Sequence, residues 1–177
     1  NPGADVASSV KAVSLAKKYN NIYAAVGVHP HDAKTMDDTT IQLLSSLANN
    51  EKVVAIGEIG LDYHYDNSPR DVQRTWFRRQ MKLAKEVNLP IVVHSREANQ
   101  ETFDMIKAES DGKLTGVIHC YSGSVELMKE YIKLGYYISL GGPVTFKNAK
   151  TPKEVAKVVP IDRLLVETDS PYLTPEP

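Results

Sequence analysis

Short, apolar, β-branched runs alternate with longer stretches of helical period along this chain. That rhythm points to βα units around a parallel sheet rather than to a helical bundle or a sandwich. The strand-length runs are residues 22–28, 53–57, 91–93, 115–118, 136–140 and 164–166, mostly apolar on both faces, as strands covered by helices are. Between them, Ser68, Pro69 and Asp71 read as N-cap, first-position proline and N3 acid, with Val72, Trp76, Leu83 and Val87 on one core-facing stripe. Thr151, Pro152 and Glu154 repeat that start, and Ser124 opens and Gly135 closes another helix. Further helices are predicted over 5–19, 39–49 and 98–109. No linker or internal repeat divides the 177 residues, so a single domain over 1–177 is expected.

The residues that follow these runs are nearly all titratable: His29, Glu58, His94 and His119, then Glu167, Thr168 and Asp169 after the last run. In a parallel α/β sheet the C-terminal ends of all strands share one face, so residues one or two βα units apart in sequence converge there. Glu58, His94, His119 and Asp169 then form a mixed nitrogen and oxygen ligand set suited to Zn, Mn, Fe, Co or Ni, with Mg admissible at its carboxylate-rich part. Each residue alone has an ordinary reading, since a histidine at a strand end is usually just hydrogen-bonded; the joint pattern points to metal. Glu167 reads as a structural acid or salt-bridge partner, and Asp62 as a loop cap or a substrate contact. In His29-Pro30-His31 the proline forces a turn between the rings, which argues against both as primary ligands. The cationic run Arg70, Arg74, Arg78, Arg79, Lys82 and Lys85 reads as the solvated face of its helix.

Charge narrows the partners. Twenty-one Lys+Arg against twenty-two Asp+Glu give a net charge of -1 and a pI near 6.6, which is no footprint for a protein that coats DNA passively. Any nucleic-acid contact is therefore expected to be local. Cys120, the lone cysteine, reads as a small buried thiol rather than a nucleophile. With one cysteine, no signal peptide and no membrane-length apolar run, a reducing cytoplasm is the expected location; no membrane association or obligate protein partner is indicated.

The stretches GVHPHDA, GEIGLDYH, LPIVVHSREA, GVIHCYSGS, YYISLGGPVTFKN and LLVETDSPYLTP, in this order from about Ile22 onward, resemble the TatD family of metal-dependent deoxyribonucleases. The resemblance implies a TIM (β/α)8 barrel of the amidohydrolase kind, with about six of its eight units in this chain. It implies hydrolysis of DNA phosphodiester bonds, typically as a 3′-5′ exonuclease on single strands, with two divalent ions whose identity among Zn, Mn, Mg, Ni and Co is left open. By the same resemblance Glu58 bridges the two ions, His94 and His119 hold one, and Asp169 binds the other and orients the attacking water. His29, Asp62, His64, Arg96, Tyr121 and Lys147 fall in loop motifs around the substrate, where Arg96 and Lys147 would neutralise phosphate without reading sequence.

Family members open with a strand carrying a His-x-His pair, and nothing before Ile22 matches it. A TIM barrel takes about 250 residues and eight strands, so the chain as written reads as the middle and later part of one, short of roughly seventy residues and two strands. Impaired turnover and exposed strand edges are the expectation for the chain taken literally. Amide or ester hydrolysis on the same ligands, and a non-catalytic metal- or phosphate-binding remnant, are the alternatives.

Overall fold

The computed structural model describes residues 1–176. Six parallel strands, β1 (Ala24–Val26), β2 (Val53–Asp62), β3 (Ile91–Arg96), β4 (Gly116–Ile118), β5 (Tyr137–Leu140) and β6 (Leu164–Val166), form one sheet in sequence order. Six helices accompany them: α1 (Val6–Lys18), α2 (Asp38–Ala48), α3 (Arg70–Glu86), α4 (Asn99–Glu109), α5 (Val125–Lys133) and α6 (Lys150–Val158). A monotonic order has no switch point, which separates barrel winding from a doubly wound sheet. The architecture is that of a TIM-barrel sheet, with helices α2–α6 following β1–β5 and α1 preceding β1. No described helix is long and apolar enough to cross a membrane.

All six expected strands are present, but β2 and β3 run further than their apolar cores suggested. Glu58 and His94 therefore lie within strands, paired through Gly60↔His94 and Asp62↔Arg96. Between Ile56↔Ile91 and Ile59↔Val93 the register shifts, because β2 carries one extra residue at Gly57–Glu58. Such a bulge bends a strand and re-aims a side chain. The sheet also has a feature the sequence did not suggest. Pro2 bridges Ala25 in parallel, Gly3 donates its N–H to Ala25 O, and Gly3 O accepts the N–H of Glu58. Asn-Pro-Gly carries turn residues, so the hydropathy pattern gave no strand signal there.

Two helix starts differ from expectation. Pro69, not Ser68, precedes α3, and the buried Ser68 hydroxyl instead donates to His31 O and accepts from Lys34 N, pinning the loop that carries His31. Thr151 and Pro152 lie inside α6, whose N-cap position is Ala149. The buried face of α3 is also rotated from the predicted stripe: Trp76 is only partly buried, while Gln73, Phe77, Gln80, Met81, Leu83 and Ala84 are covered.

The two buried glutamines have a specific task. Gln80 accepts the N–H and donates to the carbonyl of Val28, and Gln73 does the same for Asp62, also donating to Ser68 O. Two helical turns apart on one face, they satisfy backbone groups near the ends of β1 and β2 that would otherwise be buried unpaired. Those are the strand ends that carry His29 and Asp62.

Gly60 has φ +147°, and a Cβ there would lie 1.9 Å from His94 O. The close approach of β2 to β3 that brings Glu58 toward His94 thus requires glycine. Gly60→Ala is expected to lower unfolding stability by more than about 1 kcal/mol, read as a lower urea midpoint at unchanged slope. A midpoint equal to that of the wild type would contradict this account of the packing.

Candidate metal centre

Glu58 Oε1 is the convergence point. It lies 3.1 Å from His94 Nδ1, 3.6 Å from His119 Nε2 and 3.7 Å from His29 Nε2. Asp169 Oδ1 stands 3.6 Å from the same His119 nitrogen. The side chains of Glu58, His94, His119 and His29 are only 12–17% exposed, and Asp169 is 29% exposed. The four residues expected to converge therefore do so at the C-terminal face of the sheet.

Outer partners fix the rings. His119 Nδ1 hydrogen-bonds Glu167 Oε2 at 2.9 Å, which turns Nε2 toward Glu58 and Asp169. His94 Nε2 hydrogen-bonds Asp62 Oδ2 at 2.9 Å, leaving Nδ1 facing Glu58. Carboxylates on the far nitrogen of a histidine set its tautomer and orientation, the arrangement common behind metal-ligating imidazoles. Backbone conformation adds to this: Cys120, next to His119, and Asp169 both have positive φ, at 43° and 52°, an uncommon state for residues other than glycine and one concentrated at functional sites.

The donor set fits a divalent transition metal. Single ligand atoms of His29, Glu58 and His94 lie within 4.8 Å of one another, and His119 and Asp169 flank them. Glu167 Oε1 is buried beside this group with no hydrogen-bond partner among the described residues. A half-open cavity of about 680 Å³ is lined by Glu58, His119, Glu167 and Asp169 together with Ala24, Ala25 and Val92.

Electrostatics follow from burial and crowding. Burial opposes charge on His94, but its hydrogen bonds to Asp62 and Glu58 and their negative charges prevail and push its pKa up to about 9. Burial would raise Glu58, yet the His94 hydrogen bond and the neighbouring imidazoles hold it down to about 2. His29 is pushed down to about 3 by burial and by the charge on His94, so it is neutral at neutral pH, with Nδ1 accepting the His31 N–H. In Asp169, burial together with the charges of Glu58 and Glu167 outweighs His119 and raises the pKa.

Several residues expected at the substrate lie elsewhere. Asp62 is fully buried and saturated: Oδ2 meets His31 and His94, and Oδ1 accepts the N–H groups of His64 and Tyr65, so it orients rather than contacts a ligand. Tyr121 is 3% exposed, packs against Tyr131 and donates to Ser124 O, which makes it a core residue. His29 was expected at the substrate rather than as a primary ligand, because Pro30 forces a turn after it, but its ring lies 4.3 Å from that of His94 and joins the ligand cluster. His64 and Arg96 are exposed at the mouth, where His64 Nδ1 hydrogen-bonds Glu97 at 2.7 Å. Lys147 is exposed on the loop after β5, and its backbone N–H donates to Glu176. Cys120 is half-buried, and burial followed by the nearby carboxylates raises its thiol to about 12, which fits an inert thiol.

In chelator-treated protein the charged His94 stabilises the fold. Its pKa is raised from 6.5 to about 9, so its contribution is complete below pH 6.5 and is lost as the pH rises through 9. Glu58, lowered from 4.5 to about 2, contributes above pH 4.5 and loses that contribution as the pH falls toward 2. The stability gap between wild type and His94→Ala should be about 3 kcal/mol near pH 6 and should narrow as the pH rises through 9, measured by urea denaturation. A gap that widens with pH would contradict this charge assignment.

The whole chain, residues 1–177, matches the family described as TatD related DNase. It is 50% identical over 175 residues to the Bacillus subtilis protein named uncharacterized metal-dependent hydrolase YabD, covering 99% of this chain and 69% of that protein. It is 36% identical over 174 residues to the Cronobacter sakazakii 3'-5' ssDNA/RNA exonuclease TatD, covering 98% of this chain and 66% of that one. The crystal structure of the Escherichia coli TatD homologue YJJV superposes with a TM-score of 0.92 at 32% identity, covering 99% of this chain and 68% of that one. Other curated relatives are covered over as little as 60% of their length, so this chain corresponds to about two thirds of the proteins it matches. By sequence and by structure the chain belongs to the TatD related DNase family.

Proposed function

We propose that this site hydrolyses phosphodiester bonds of single-stranded DNA, removing nucleotides from the 3′ end, in the cytoplasm. The observation that carries the reading is the set of three imidazole nitrogens within 3.7 Å of one oxygen of Glu58, with Asp169 across His119. In this reading Glu58, His94 and His119 hold one divalent ion, with His29 beside them. Glu58 and Asp169 take part in holding a second ion in the whole protein. When bound, such ions supply Lewis acidity at the phosphoryl oxygens and a water acidic enough to attack near neutral pH.

The protein groups have separable tasks. Asp62 and Glu167 keep His94 and His119 in the orientations that present Nδ1 and Nε2, respectively, to Glu58. Asp169 accepts the proton of the attacking water, a role that requires its ionised form. Arg96, exposed at the mouth, balances phosphate charge without demanding a base. The Cronobacter sakazakii relative, named a 3'-5' ssDNA/RNA exonuclease, supports a single-stranded nucleic-acid substrate.

A 5′-labelled single-stranded oligonucleotide incubated with the metal-loaded whole protein should shorten progressively. Asp169→Asn should lower kcat by about 100-fold or more with little change in Tm. Faster cleavage of a p-nitrophenyl ester than of any oligonucleotide would overturn the substrate, and wild-type turnover by Asp169→Asn would overturn the proton acceptor.

A further inference from the structure

Tyr65 stands at the mouth of the site and is 54% exposed, although its backbone is held tightly. Its N–H donates to Oδ1 of Asp62, the carboxylate whose other oxygen orients His94. Its ring is met nearly edge-on by His31 at 5.3 Å and 87°, and by His64 at 4.7 Å and 85°. From Tyr65 the row of rings continues inward through His31 to His29 and His94, with successive centroids 4.3 Å apart in the last two steps. The ring is thus an aromatic surface tied to the candidate metal centre through two imidazoles and one carboxylate.

Arg96, the last residue of β3, lies with its guanidinium 4.9 Å from the Tyr65 centroid. Among the described residues its guanidinium makes no hydrogen bond or ion pair, whereas Arg70, Arg74, Arg79 and Lys85 each meet a carboxylate. An unneutralised cation over one face of a half-exposed aromatic ring supplies the pair of groups that single-stranded nucleic acid uses: a π-face, here the one turned away from Arg96, for a base and a charge for the adjoining phosphate. Every base has a π-face, so such a platform grips without reading sequence.

We propose that Tyr65 stacks on the 3′-terminal base of the strand whose phosphodiester bond lies at Glu58, with Arg96 taking the neighbouring phosphate. This rests on the single-strand nuclease reading above. It adds a binding subsite on the loop after β2, where the resemblance indicated only Asp62 and His64.

Two single-stranded oligonucleotides that differ only in bearing a normal or an abasic 3′-terminal nucleotide separate the possibilities, with kcat/KM measured on the metal-loaded whole protein. The wild type should prefer the base-bearing strand by about tenfold. Tyr65→Ala should bring that ratio close to one, and Tyr65→Phe should keep it within about twofold of the wild-type ratio. Tyr65→Leu, which retains bulk without a π-face, should behave like Tyr65→Ala and serves if the alanine variant folds poorly. A wild-type ratio near one, or an undiminished ratio in Tyr65→Leu, would overturn the stacking subsite while leaving the nuclease reading intact. Failure of the wild type to cleave either strand would overturn the nuclease reading, and the subsite with it.

Discussion

The interaction on which the site depends is the enclosure of one carboxylate by imidazoles. Glu58 is largely withdrawn from water, and a carboxylate in that position must be matched by positive charge or protonated. In the metal-free protein the charge comes from the proton on His94. A divalent cation satisfies the same requirement and uses the same lone pairs, so the proton and the metal compete for one place. The features that look local are ways of building this enclosure. The extra residue at Gly57–Glu58 re-aims the carboxylate, Gly60 lets β3 come close, and Gln73 and Gln80 fasten nearby backbone.

Asp62 and Glu167 complete the arrangement from behind. A histidine offers two nitrogens, and its ligating nitrogen is decided by what binds the other one. Asp62 on Nε2 of His94 and Glu167 on Nδ1 of His119 therefore make the two rings present different nitrogens to the same oxygen. Asp62 does more than this, since its second oxygen also holds the backbone of His64 and Tyr65. One buried carboxylate thus joins the orientation of a candidate ligand to the shape of the loop at the mouth.

Much of this was legible in the sequence, because strand periodicity and strand-end position are local properties. Six apolar runs located six strands, and the titratable residues beyond them located Glu58, His94, His119 and Asp169. The errors have a common cause. Sequence spacing does not report side-chain direction or burial, so Tyr121 passed for a substrate contact and Asp62 stayed open between a loop cap and a substrate contact, although both are enclosed. His29 was discounted because a proline follows it, yet the turn begins after its ring has already entered the cluster. Gln73 and Gln80 could not be found by hydropathy, since a polar residue on a helix reads as solvated unless the backbone groups it must satisfy are known. The full lengths of β2 and β3 were missed because Glu58, Asp62, His94, Ser95 and Arg96 interrupt the apolar pattern where function replaces packing.

The most direct test is a crystal structure of the protein soaked with Mn or Zn, with the ion located by anomalous scattering. The account predicts an ion bound by Glu58 together with Nδ1 of His94 and Nε2 of His119, with Asp62 and Glu167 still on the far nitrogens. An ion bound away from Glu58, or to His94 through Nε2 with the Asp62 hydrogen bond broken, would contradict it.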